Sequence, residues 1–275
     1  MRTYVYVDGF NLYYGAVKGT PYKWLNISRL CQLLLPKNQI LKIKYFTALV
    51  TGRPSDPDQP NRQQIYLRAL RTIPDLEIIY GHFLEHEVMM PAAGNPAGNP
   101  RYVKVIKTEE KGSDVNIATH MISDGYKGAY QIAILLSNDS DLVEPVKDIR
   151  NELNLPVGVL NPRPASSSHE LRKFATFVKP IRGGVLAASQ FPSTLTDDKG
   201  SFLNPPIGRD HDRSKTPYRS CLPAQTSLAR FGPREERAPR AYLHAAHLAG
   251  APAAGRLPRR ADRHPAARPR RPRRA

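Results

Sequence analysis

Two stretches far apart in this chain share one design, a β-prone apolar run that ends in a carboxylate. Val5-Tyr6-Val7 leads into Asp8-Gly9-Phe10-Asn11, and Gln131 to Leu136 leads into Ser137-Asn138-Asp139-Ser140-Asp141. A near-continuous apolar run of this kind reads as a strand buried on both faces, the habit of parallel sheets covered by helices. The acids therefore stand at strand carboxyl ends, where open α/β sheets place their sites. Asp8 alone is weak evidence, because an acid closing a strand commonly caps a helix or shapes a turn.

The pattern between and around these runs alternates. Residues 3–7 read as the first strand and Asn11–Lys18 as a short helix, with Tyr13 and Tyr14 in the core or lining a cleft. Ile27–Leu35 is apolar at helical spacing, with Asn26 as its cap and Pro36 as its stop. Ile40–Val50 reads as a strand, Gly52–Asn61 as a loop, Gln63–Arg71 as a helix and Leu76–Leu84 as a strand. Pro91–Pro100 is a turn-rich excursion unsuited to a sheet interior, and Tyr102–Ile106 returns to pair with the segment before it. Ser113 is the expected cap of a helix reaching about Ser123, which places Asp114 in its first turn. Leu142–Leu153 reads as a helix, Pro156–Leu160 as a strand, Ser168–Lys173 as a short helix and Phe177–Ile181 as an edge strand. Helices alternating with β runs imply a doubly wound, mainly parallel α/β sheet with helices on both faces.

Composition matters at the C-terminus. The 275 residues carry a formal charge of +17, but Arg209 onward holds 17 Lys+Arg against 5 Asp+Glu, leaving 24 basic and 19 acidic groups in the first 208 residues. The basicity is mostly a property of the tail. The expected division is a folded domain over residues 1–200 and an Arg/Pro/Ala-rich, disordered tail over 201–275, which buries too little apolar surface to offset its ordering cost. The tail is either a nucleic-acid-binding arm or a non-native reading frame of a GC-rich gene; the abrupt switch favours the second. Two distant cysteines, Cys31 and Cys221, suit a reducing cytoplasmic setting. No apolar run reaches roughly 18 residues, so no membrane span is expected.

Asp8, Asp114, Asp139 and Asp141 facing one cleft would repel one another unless a cation lay among them. Hard divalent ions, Mg²⁺ or Mn²⁺, suit such donors, and the reaction class that follows is phosphodiester hydrolysis. The blocks Asp8-Gly9-Phe10-Asn11, Glu110-Lys111-Gly112-Ser113-Asp114-Val115 and Ser137-Asn138-Asp139-Ser140-Asp141-Leu142 resemble the signature blocks of the NYN domain, a branch of the PIN-like nuclease superfamily related to bacterial LabA-type proteins. The resemblance covers about residues 1–200 and implies a PIN-like fold and a metal-dependent nuclease, most readily a ribonuclease acting on single-stranded RNA. Through it, Asp8, Asp114 and Asp139 match acidic metal-site positions, Asp141 a neighbouring acid, and Asn11 a residue that positions the first Asp or the substrate. Lys111, Asn138 and Tyr13 are candidate substrate contacts. Asn138 stands where many relatives have Gly, and Leu142 where many have an aromatic residue; neither departure removes a carboxylate.

Two other readings stay open. One is a non-catalytic RNA-binding or regulatory module, monomeric or homo-oligomeric. The other, also by resemblance, is a monooxygenase hydroxylating 6-hydroxy-3-succinoylpyridine in nicotine degradation with NADH and FAD. Against it, the first strand runs into Asp8-Gly9-Phe10-Asn11-Leu12-Tyr13 instead of a GxGxxG turn. His82 and His86 are expected at the surface rather than in a zinc site, and Ser168 beside His169 is expected to cap a helix rather than to act as a nucleophile.

Overall fold

Alternating side chains along the buried strands face two different helical layers, and this builds the domain. A computed structural model describes residues 1–92, 102–163 and 168–205. The first strand, β1 (Arg2–Asp8), passes directly into a helical turn, α1 (Gly9–Leu12), and a π-helical turn over Tyr13–Val17. The next helix, α2 (Ile27–Leu34), buries Ile27, Leu30, Cys31 and Leu34 along one stripe, and Asn26 caps it by accepting the Arg29 N–H at 2.9 Å. Then come β2 (Gln39–Thr47), α3 (Gln59–Arg71) with Pro60 in its first turn, and β3 (Leu76–Tyr80).

The run expected as one strand over Leu76–Leu84 breaks at Gly81. Beyond it, β4 (His82–Pro91) leaves the main sheet and pairs antiparallel with β5 (Tyr102–Lys111) in a long hairpin. The expected hairpin pairing is present, and β5 runs five residues past Ile106. Most of the Pro91–Pro100 excursion lies outside the described residues. From the hairpin's base the chain enters α4 (Ser113–Tyr126), followed by β6 (Ile132–Leu136), a 3₁₀ turn over Ser140–Leu142, α5 (Val143–Asn151) and β7 (Val157–Asn161). The last elements are α6 (His169–Phe174), β8 (Phe177–Pro180), α7 (Gly183–Ala187), β9 (Thr194–Asp197) and β10 (Gly200–Leu203). Sequence patterning did not reveal the last three; each is too short to show a period. The β9–β10 hairpin straddles the boundary drawn at residue 200, and residues 206–275 lie outside the described residues.

Six strands form one parallel sheet in the order β3-β2-β1-β6-β7-β8. Val5, Val7, Ile43, Ile134 and Leu136 pack on one face against Leu30, Leu67, Leu70 and Leu186 from α2, α3 and α7. Tyr6, Phe46, Ala133 and Leu135 pack on the other against Ile117, Met121, Val146 and Leu171 from α4, α5 and α6. Each buried Val, Leu or Ile stabilises the fold by roughly 1.5–3 kcal/mol. The fold is thus a doubly wound α/β sheet whose strand order reverses between β1 and β6. The crevice outside the strand carboxyl ends at such a switch point lies where Asp8 and Asp139 emerge. No helix among the described residues is long and apolar enough to cross a membrane.

Candidate functional site

Val7 pairs with Leu136 across the switch, so the residues that follow each of them meet. Asp8 is 6% exposed. Its Oδ1 accepts the Asn11 N–H at 2.9 Å, capping α1, and its Oδ2 accepts the Ser137 hydroxyl at 3.0 Å. Ser137 Oγ also accepts the Asp139 N–H at 3.1 Å, and Asp139 Oδ1 accepts the Asp141 N–H at 3.0 Å. Asn11 Oδ1 accepts the Asn138 N–H at 3.1 Å. The two loops are therefore tied together by side chains that are themselves polar and chemically useful. Gly9 makes the tie possible: a Cβ there would lie 2.7 Å from the Phe46 carbonyl oxygen and 2.8 Å from the Tyr45 ring.

The third arm comes from the hairpin base. Gly112 takes φ 98°, a left-handed conformation that turns the chain from β5 into α4. Ser113, expected as the cap, is the first helical residue instead. Glu110 caps from outside, its Oε1 accepting the Ser113 hydroxyl at 2.8 Å and the Ser113 N–H at 3.3 Å. Asp114 follows in the first helical turn. Asp8, Asn11, Glu110, Asp114, Asp139 and Arg163 line one cleft of about 210 Å³.

Burial pushes the Asp8 carboxyl up to about 6; the Asn11 and Ser137 hydrogen bonds oppose this, and the charges of Asp114 and Asp139 reinforce it. Burial also raises Asp114 to about 6, helped by Asp139, Glu110 and Asp141. Such mutual repulsion marks a place for positive charge. Every acidic donor in the cleft is a carboxylate oxygen, which suits a hard ion and not a soft one. Among the described residues no three His, Cys, Asp or Glu side chains are set to enclose an ion by themselves. Mg²⁺ is usually held through one or two carboxylates with water completing its shell.

Four of the residues singled out from sequence meet in this cleft: Asp8, Asn11, Asp114 and Asp139. The others stand around it. Asp141 is exposed and acts on Asp114 only through its charge. Lys111 does not line the cleft; its Nζ pairs with Glu109 Oε2 at 2.9 Å. Asn138 is a bracket between loops, its Oδ1 accepting the Ser168 N–H at 2.8 Å and its own N–H held by Asn11. His82 and His86 are exposed on β4. Ser168 caps α6 through the Leu171 N–H, and the exposed His169 ring pairs with Glu170. Glu110 and Arg163 escaped the sequence reading. Arg163 was findable, since it follows the carboxyl end of β7 as Asp8 ends β1; Glu110 was hidden by the expectation that Ser113 was the cap.

Tyr13 lines a second, adjoining cavity of about 180 Å³, which shares Phe10 and Tyr14 with the acidic cleft. Its walls carry the rings of Phe10, Tyr13, Tyr14, Trp24, Tyr45 and Tyr66.

The chain is 33% identical over 227 residues to 6-hydroxy-3-succinoylpyridine 3-monooxygenase HspA of Pseudomonas putida, a match that covers 72% of this chain and 73% of the relative. It is also similar to the crystal structure of a protein of unknown function from Vibrio parahaemolyticus, with 18% identity, a TM-score of 0.45, and coverage of 66% of this chain and 93% of that one. Residues 2–181 match the NYN domain, and the chain belongs to that family, within the PIN-like nuclease superfamily.

Proposed function

We propose that the chain is a Mg²⁺- or Mn²⁺-dependent nuclease that hydrolyses phosphodiester bonds, with single-stranded RNA as its first candidate substrate. One observation carries the reading: four carboxylates, Asp8, Glu110, Asp114 and Asp139, line a cleft at the switch point of a family member's sheet, two of them with raised pKa. One or two of Asp8, Asp114 and Asp139 would hold the ion directly and the rest through its water shell; when bound, the ion lowers the pKa of water and polarises a phosphoryl oxygen. Asn11 and Ser137 orient the Asp8 and Asp139 arms through the hydrogen bonds described above. Arg163 lines the cleft where it can meet a phosphate oxygen. Asp141 contributes field rather than a ligand. Labelled single-stranded RNA incubated with Mn²⁺ tests the reading: Asp8→Asn and Asp139→Asn are each expected to lower the cleavage rate at least about a hundredfold. Equal cleavage by wild type and both variants would reject it. RNA binding that survives in wild type without any cleavage would favour the non-catalytic module.

The Pseudomonas relative motivates a second reading, hydroxylation of 6-hydroxy-3-succinoylpyridine with NADH and FAD. It rests on the activity for which that protein, 33% identical to this one, is named, and on an aromatic cavity able to receive a ring. A yellow purified protein, or NADH oxidation that depends on the pyridine substrate, would place it first.

A further inference from the structure

The roles assigned above to the acidic cleft leave the aromatic cavity unused, yet Phe10 and Tyr14 connect the two. Its size limits what enters. A cavity of roughly 150 Å³ admits one benzene ring, so a space of about 180 Å³ takes one six-membered ring with room to spare and a fused purine base only tightly, the sugar lying outside in either case. Its polar wall is largely committed. Gln63 already donates to the Ala48 carbonyl and accepts the Val50 N–H, both at 2.9 Å, and Arg62 is paired with Asp56. Thr47 and Asn204 add a hydroxyl and an amide to the lining, the groups a ring nitrogen or ring carbonyl can use. Aromatic walls with few polar hooks are the usual makeup of a site for a flat heterocycle.

We propose that this cavity binds a single six-membered nitrogen heterocycle, which in a nucleic acid is the pyrimidine base of the nucleotide whose phosphate reaches the cleft carboxylates. The proposal deepens the hydrolytic reading by naming the base beside the scissile phosphate, and it depends on that reading only for the position of the phosphate. A free heterocyclic acid offers the same ring chemistry from another source.

Trp24 supplies the readout, because it is the single tryptophan of the chain and lines the cavity. Its emission is followed in the full chain, with EDTA present, while CMP, UMP, AMP, GMP or 6-hydroxynicotinate is added. A saturable change with CMP or UMP, at concentrations at least tenfold below those needed for AMP or GMP, is the expected result. Tyr14→Ala should weaken that binding at least about fivefold, while Tyr126→Ala, exposed on α4 and outside the cavity lining, should leave it unchanged. No saturable change with any probe, or equal response to purines, overturns the inference. A response to 6-hydroxynicotinate alone overturns the nucleotide as the source of the ring. Mononucleotides carry no internucleotide bond, so the two readings fail separately: pyrimidine binding without RNA cleavage refutes hydrolysis alone, and RNA cleavage without pyrimidine preference refutes this inference alone.

Discussion

Gly9 stands where any side chain would collide with the Phe46 carbonyl and the Tyr45 ring. A backbone carbonyl cannot rotate away as a side chain can. Gly9→Ala is therefore expected to destabilise the domain by at least about 2 kcal/mol, read as a lowered urea midpoint; an unchanged midpoint would show that the strand ends can separate without cost. Asp8 makes the opposite prediction. Its carboxyl is raised from 3.8 to about 6, so the folded state holds the proton more tightly than the unfolded chain. That contribution to stability is complete below pH 3.8 and is lost as pH rises through about 6. For so buried a group the loss is on the order of 3 kcal/mol. In EDTA, Asp8→Asn should raise Tm by about 6 °C or more at pH 8 and give no rise at pH 4; a lowered Tm at both pH values would show that the anion's hydrogen bonds outweigh its burial. At this scale the sequence was most legible where an acid closes an apolar run. Glu110 was obscure because it lies in an exposed hairpin; Arg163 could be placed past a strand's carboxyl end but was passed over because no acid marks that end.

Elements were legible in proportion to their burial. The strands β1, β6 and β7, covered on both faces, stood out as apolar runs, and α2 stood out by its stripe. The break at Gly81 did not, since β3 and β4 are both β-prone and only their partners differ. Glycine is required there as well: a Cβ would meet Glu110 Oε1 at 2.5 Å and the Lys111 carbonyl oxygen at 2.6 Å. The β9–β10 hairpin was also invisible, because a long-range anchor holds it rather than its own pattern. Arg68 on α3 donates from Nε and Nη2 to Asp197 at 2.7 and 2.6 Å and from Nη2 to the Gly200 carbonyl at 3.0 Å, with its guanidinium 4.1 Å from the Phe202 ring. Phe202 in turn stands edge-on to Trp24. Arg68→Ala should release the hairpin and speed amide exchange at Phe202 and Leu203 at least tenfold, with β1 and β6 unaffected. Uniform acceleration across the sheet would show the hairpin to be part of the main cooperative unit.

For the whole molecule, net charge and the carboxylate cleft separate along the chain. Residues from Arg209 onward carry +12 of the +17, whereas the carboxylate cleft lies entirely before them. A chain ending at Pro205 should keep its melting temperature and its rate on short oligonucleotides, while long single strands at low salt lose affinity and show a shallower salt dependence. Lost folding on truncation would make the C-terminal residues part of the domain. The doubly wound architecture could be read before any coordinates because helical and strand periods alternate so regularly; the position of the aromatic cavity could not, because its walls come from residues 9 to 205 with no common pattern. The antiparallel hairpin of β4 and β5 has one more implication. Its two strands pair only with each other among the described residues, so its outer length can change without altering the register of the six-stranded sheet. Its root, by contrast, places Glu110 against the start of α4. Variation in this finger can thus change what the molecule's outer surface meets while the carboxylate cleft beneath it keeps its geometry.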